Sequence, residues 1–199
     1  MTGQTTPVRA DPPAAVDGFG RVLVAGVGNV FLGDDGFGSE VARELARSAL
    51  PAGVVVTDYG IRGMHLAYDL LDGWDRLVLI DLLPDRGRPG SVHVVEVDLA
   101  SISDHAADPH GMAPQAMLSA VASMGGELPP TVLVGCEAND VGERLGLSAV
   151  VRAAVGPAVA AVLALLLQPV ETTDKGAHDQ QPDHPQAEHV AAGNQSTKG

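Results

Sequence analysis

Val22-Leu23-Val24-Ala25-Gly26-Val27-Gly28-Asn29-Val30-Phe31-Leu32-Gly33-Asp34-Asp35-Gly36-Phe37-Gly38 is the stretch on which the fold turns. Its opening, Val22 to Val27, is an uninterrupted apolar run ending in glycines, the pattern of a strand buried on both faces. Glycines then punctuate the chain and two aspartates follow. From Phe37 the apolar residues recur at helical spacing, so Val41, Leu45 and Ala49 share one face of a helix predicted over Phe37–Leu50. A buried strand, a glycine turn and an amphipathic helix open a βαβ unit.

The same alternation continues outward. Val54–Thr57 reads as a second strand ending at Asp58-Tyr59-Gly60, and Met64–Leu71 as a helix stopped at Gly73. Leu77–Ile80 is a third buried strand, ending at Asp81. Ser91–Val97 alternates apolar and polar residues, as a more exposed strand does. The link before it, Leu82–Gly90, is shorter than the dozen or so residues that a parallel crossover needs. The fourth strand should therefore run antiparallel at an edge. Pro114–Met124 is a predicted helix, Val132–Cys136 a fifth strand and Ser148–Leu167 the last helix. The expected fold class is α/β: a three-layer sandwich around a five-stranded, mostly parallel twisted sheet. It has one antiparallel edge strand and helices on both faces.

Domain limits follow from composition. Residues 1–20 are rich in Pro, Gly, Thr and Asp and read as a flexible N-terminal arm. Residues 169–199 turn to His, Asp, Gln, Gly and Pro, which bury too little apolar surface to offset chain entropy, so a disordered tail is expected there. The folded unit is placed at residues 21–168. A net charge of −13 argues against electrostatic binding to nucleic acid or to an anionic membrane. The apolar run near the C-terminus is interrupted by Arg152 and Gly156-Pro157, and is read as a docked helix, not a membrane span. No signal sequence is visible at the N-terminus, so the cytoplasm is the expected location. The single cysteine, Cys136, permits no internal disulfide and no thiolate zinc cluster, and its setting at a strand end reads as packing.

In open α/β sheets, ligands bind beyond the carboxyl ends of the strands, where strand order reverses. With the second strand on one side of the first and the third on the other, that point lies between strands one and three. Asp34, Asp35 and Asp81 lie just past those strands, and Asp58 leaves strand two at the same edge. Carboxylates gathered there repel one another unless a cation or proton sits among them, which suggests a metal. Carboxylates joined by an imidazole form a nitrogen–oxygen site suited to nickel or zinc. His110, in Asp108-Pro109-His110-Gly111, is a loop candidate and His105 its rival. His65 in a helix and His93 in a strand read as structural. His178, His184 and His189 read as part of a solvated tail. Asp34 has an alternative reading as a helix cap or first-turn acid.

Four segments resemble the hydrogenase maturation proteases in order and spacing. They are Gly26-Val27-Gly28-Asn29 through Gly33-Asp34-Asp35-Gly36-Phe37-Gly38, Val56-Thr57-Asp58-Tyr59-Gly60, Leu79-Ile80-Asp81 and Asp108-Pro109-His110-Gly111-Met112. Val134-Gly135-Cys136-Glu137 and Gly146-Leu147-Ser148 are also similar to the family's last strand and helix entry, although Ala138 stands where many members have proline. The resemblance implies a cytoplasmic endopeptidase that removes the C-terminal extension of a nickel-loaded [NiFe]-hydrogenase large-subunit precursor. It implies nickel ligation by Asp35, Asp81 and His110, with the nickel supplied by the precursor, and a further role in activity for Asp58. The resemblance leaves open whether the chemistry is of aspartic type or metal-assisted. A monomer is the expected state.

Two other readings remain at this point. A nickel-binding maturation chaperone would show the same ligands without cutting anything. A nucleotide-binding oxidoreductase would use Gly26 and Gly28, but Phe31 stands where the third glycine of that fingerprint belongs. Asp34 and Asp35 would also repel a pyrophosphate.

Overall fold

The computed structural model describes residues 20–98 and 120–169. The element order is β1 (Val22–Val27), a 3₁₀ turn (Gly33–Gly36), α1 (Phe37–Leu45), β2 (Val54–Gly60), α2 (Gly63–Leu70), β3 (Arg76–Leu83), β4 (Val92–Glu96), β5 (Thr131–Glu137) and α3 (Ala149–Leu166). Residues 120–123 are also helical, within the helix expected over 114–124. The remaining residues of that helix, the two terminal tails, His105 and His110 lie outside the described residues.

The five strands form one sheet in the order β2-β1-β3-β5-β4. β2, β1, β3 and β5 are parallel, and β4 runs antiparallel to β5 at the edge, as the short link predicts. Burial on both faces follows from strand alternation. Val22 and Val24 of β1, with Val78 and Ile80 of β3, pack under α1 and α3. Leu23, Ala25 and Val27, with Leu77 and Leu79, pack under α2 and Val121. The sheet is thus the middle of three layers.

α3 is long and apolar enough by composition to cross a bilayer. Its Val151, Ala154, Ala158, Val162 and Leu166 nevertheless pack into the core beneath α1 and the sheet. Ser148 caps its start by accepting from the Val151 amide, and Arg76 donates to the carbonyls of Leu165, Gln168 and Pro169 at its end.

Three boundaries differ from the sequence reading by more than one residue. α1 stops at Leu45, and Ala49, expected on its apolar face, is exposed. Ala46, Arg47 and Ala49 are exposed, so little burial rewards further helix, and Pro51 disfavours helix at Leu50. β2 continues through Asp58 to Gly60 because a register shift lets Val27 pair with Gly60 after Gly26 has paired with Asp58. β3 runs on to Leu83 because β5 keeps pairing with it as far as Glu137. Asp58 and Asp81 therefore lie inside their strands, not past them.

Candidate active site

The carboxyl edge of the sheet is organised by close backbone approach. A Cβ on Gly26 would strike the Gly38 carbonyl, and one on Gly38 would strike the carbonyls of Val27 and Ile80. Glycine at both positions lets α1 settle directly onto β1 and β3. Gly28 has φ +126°, and a Cβ there would collide with the Asp35 carbonyl. These glycines serve the approach of helix to strand, the space that a dinucleotide fingerprint would reserve for pyrophosphate.

Asp35 is carried on this turn. Its Oδ2 accepts from the Asn29 amide at 2.7 Å, and its own amide donates to the Leu32 carbonyl at 3.2 Å. Gly26 pairs with Ile80 of β3 on one side and with Asp58 of β2 on the other, so Asp81 and Asp58 flank the end of β1. With neighbouring strands about 4.8 Å apart, their backbones are separated by about 10 Å. Asp81 is half-buried and accepts at Oδ1 from the Leu82 amide at 2.8 Å. Burial pushes its pKa up to about 7; the negative charge of Asp35 adds to the rise, and the Leu82 amide opposes it. Asp35 and Asp81 are thus electrostatically coupled.

Asp58 belongs to a different set of contacts. Ser39 Oγ donates to its Oδ1 at 2.7 Å, and Arg43 Nη2 lies 3.0 Å from Oδ2. Ser39 and Arg43 are one helical turn apart on α1, which is why one carboxylate meets both. The sequence reading missed this pair. Its only signal is the i, i+4 spacing, which gains meaning once β2 is known to lie beside α1.

Asp34 is a structural clamp. It is fully buried, and it accepts from the Ser148 amide (2.6 Å), Ser148 Oγ (2.9 Å), the Asp140 amide (2.8 Å) and the Asn139 amide (3.1 Å). Burial alone would raise its pKa, but these hydrogen bonds together outweigh that and hold it below the ordinary carboxylate value. The N-cap of α1 is Gly36, so Asp34 does not cap that helix. It ties the first turn to the loop between β5 and α3.

His93 is structural, as expected: its Nε2 lies 2.7 Å from Oε1 of the buried Glu137. His65 sits exposed on α2. Cys136 is buried, and its thiol is pushed up to about 11 by burial, with the charges of Asp34 and Glu137 adding to the effect, so it is packing and no nucleophile.

Among the described residues, no three His, Cys, Asp or Glu side chains are grouped to hold a metal. Two of the three expected ligands, Asp35 and Asp81, face a common edge; the third, His110, lies outside the described residues. Each carboxylate of this pair accepts a single hydrogen bond from the described residues, so the pair keeps hard oxygen donors of the kind that divalent cations take.

A family profile described as hydrogenase maturation protease matches residues 39–165. The chain belongs to the hydrogenase maturation protease family. The hydrogenase 2 maturation protease of Escherichia coli is 31% identical over 150 residues, covering 73% of this chain and 90% of that protein. The hydrogenase maturating endopeptidase HybD from E. coli superposes with a TM-score of 0.63 at 30% identity, over 73% of this chain and 91% of that one. The [NiFe] hydrogenase maturation protease HybD from Thermococcus kodakarensis gives 0.61 at 26% identity, over 73% and 99%. As a hydrogenase maturation protease, this chain is a peptidase with the family's α/β fold, its antiparallel edge pair included. The profile match begins at Ser39, so Asp58, Asp81 and His110 fall within it and the Asp35 turn lies just ahead of it.

Proposed function

We propose that this peptidase removes the C-terminal extension of a [NiFe]-hydrogenase large-subunit precursor after nickel has been inserted, and that it reads the nickel directly. The observation that carries the reading is the placement of Asp35 and Asp81 at one edge of the sheet, each accepting a single hydrogen bond from the described residues; burial, with a smaller contribution from the charge of Asp35, pushes the half-buried Asp81 up to about 7. A metal-free protein keeps such a pair at a cost in stability, and a cation delivered by a docked partner would relieve it. Nickel is then part of the substrate. Asp35 and Asp81 offer oxygen ligands, and His110 offers the imidazole that suits nickel.

Chain length permits His110 to take part. Between Asp98 and His110 the chain can span at most about 40 Å, against about 26 Å for an eight-residue strand such as β3. It can therefore travel from the amino edge of the sheet, where β4 ends, to the carboxyl edge. Bound nickel would polarise the scissile carbonyl or acidify a water. On the protein side, Asn29 holds Asp35 over the end of β1, while Ser39 and Arg43 fix Asp58 at the flank.

The test is a cleavage assay with purified precursor, nickel-loaded and nickel-free, read by product mass. Loss of a C-terminal peptide from the loaded form alone is expected, with loss of cutting in Asp81→Asn and His110→Ala. Full processing by both variants would remove the ligand assignment. Nickel transfer without any change in precursor mass would favour a chaperone.

A further inference from the structure

A cleft of about 220 Å³ lies between the first turn, α1 and the entry to α3, and neither Asp35 nor Asp81 lines it. Its walls include Val30, Leu145 and Leu147, and its charged groups are Glu40, Arg43 and Arg152. The loops that form it are held firmly. Gly33 donates to the Arg144 carbonyl, Arg144 donates to the Phe31 carbonyl, and the Asp34 clamp ties the turn to Ser148.

The charges are unevenly placed. Arg43 is shared between Glu40 at 3.7 Å and Asp58 at 3.0 Å. Arg152 has no acidic partner among the described residues; its contact is a donation from Nη2 to the Leu147 carbonyl at 3.2 Å. Arg43 is thus already matched by two carboxylates, and Arg152 is the guanidinium on the cleft wall left without an acid, in a chain whose net charge is −13. Leu145, the most exposed large apolar side chain among the described residues at 74%, stands on the same wall. Leu145 and Val30 offer apolar surface beside a forked donor, an arrangement suited to a carboxylate on a short apolar segment.

We propose that this cleft binds a carboxylate of the peptide being removed, with Arg152 as its principal donor and Arg43 as the link to Asp58. The inference rests on the proteolytic reading above and deepens it. The cleft reads the leaving segment, while the Asp35–Asp81 edge reads the metal. The volume suits one or two residues, not a folded domain. Because Arg43 touches both the cleft and Asp58, occupancy is felt at the edge of the sheet.

The experiment titrates isotope-labelled full-length protein with three N-acetylated tetrapeptides, followed by amide chemical shifts. One is Ala-Val-Ala-Leu with a free C-terminus, the second its C-terminal amide, and the third an amidated Ala-Glu-Ala-Leu. The charged peptides should move the amides of Gly33, Gly36 and Gly146, and the neutral one should bind about tenfold more weakly. Preference between the two charged peptides assigns the terminal or the side-chain carboxylate as the source.

Arg152→Gln should lose about tenfold for the charged peptides and nothing for the neutral one. Glu40→Gln should tighten the charged peptides two- to threefold, roughly one exposed charge's worth, a gain that misfolding cannot mimic. Equal binding of all three peptides, or no response to either substitution, overturns the proposal. Precursor cleavage is scored separately. Cutting by a wild-type protein that ignores charged peptides sinks the cleft alone, and peptide binding without cutting sinks the proteolytic reading instead.

Discussion

Replacing Asp81 by Asn should stabilise the metal-free protein above neutral pH. The unfolded aspartate titrates near 3.8 and the folded one near 7. Between those values the native state holds a proton that the unfolded state has released. Stability therefore falls as pH rises through this window, and the full cost is present once Asp81 ionises above about 7. A gap of about three units corresponds to at most about 4 kcal/mol. Water entry at a half-buried site reduces this, and about 2 kcal/mol is expected. For a chain of this size that is about 4–8 °C in Tm.

The assay is a set of thermal and urea melts from pH 4 to pH 8.5 in the presence of a chelator. Wild type and D81N should coincide near pH 4, where both side chains are neutral. They should diverge upward through pH 7, with the variant the more stable at pH 8. Nickel added at a hundred times its Kd should then raise the wild type by about 2.7 kcal/mol and leave D81N nearly unmoved. Parallel pH profiles, or a variant that melts lower at pH 8, would show that Asp81 is not an ionised, poorly compensated carboxylate, and the physical case for a cation at this edge would fail.

Asp34→Ala should cost roughly 2–4 kcal/mol in urea unfolding, because it removes the acceptor of the part-buried Ser148 and Asp140 amides and frees their loop. A loss under 1 kcal/mol would refute the clamp. Glu137 has its pKa raised by burial but lowered further by the Arg88 amide, His93 and the Arg86 amide, for a net depression. Its contribution is therefore present above the unfolded value near 4.5 and lost as pH falls, so Glu137→Gln should flatten the decline in Tm between pH 5 and pH 3. An unchanged acid limb would refute this. Cys136→Ala should retain precursor cleavage with a stability loss of about 1 kcal/mol, and the wild-type thiol should resist alkylation at pH 8 while folded. Abolished cleavage in a folded C136A protein would reinstate it as a reactive group.

Much of this architecture is legible along the chain because its strands are buried on both faces and so appear as unbroken apolar runs. Val22–Val27 matches β1 at both ends. The antiparallel edge follows from a link too short to cross the sheet. Strand ends are harder, since they are decided by partners. β3 extends through Asp81 to Leu83 only because Gly135, Cys136 and Glu137 of β5 continue beside it. The bulge that carries β2 to Gly60 depends on the geometry of β1 at Gly26. At the site, Asp35 and Asp81 are readable from their position beyond or near the ends of adjacent strands. The role of Asp34 is not, because its donors come 105 to 114 residues later in sequence. No local pattern announces that Asn139, Asp140 and Ser148 will converge on it.

Counting donors separates the aspartates better than position does. An ionised carboxylate has about four lone-pair sites. Asp34 receives four hydrogen bonds, three from backbone amides and one from a hydroxyl, with Arg144 3.6 Å from its Oδ1, and it is fully buried, which leaves it little coordination capacity. Asp35 and Asp81 receive one each from the described residues, from Asn29 and Leu82. Neighbours in sequence thus have opposite fates, Asp34 saturated and Asp35 open. The clamp also explains how the fold tolerates the open pair. Asp34 fixes the turn against the β5–α3 loop, and the Asn29 amide fixes the Asp35 carboxylate on that turn, so the open pair sits on a backbone that is itself held. The cost of ionising Asp81 stays at the edge of the sheet, where an incoming cation would offset it.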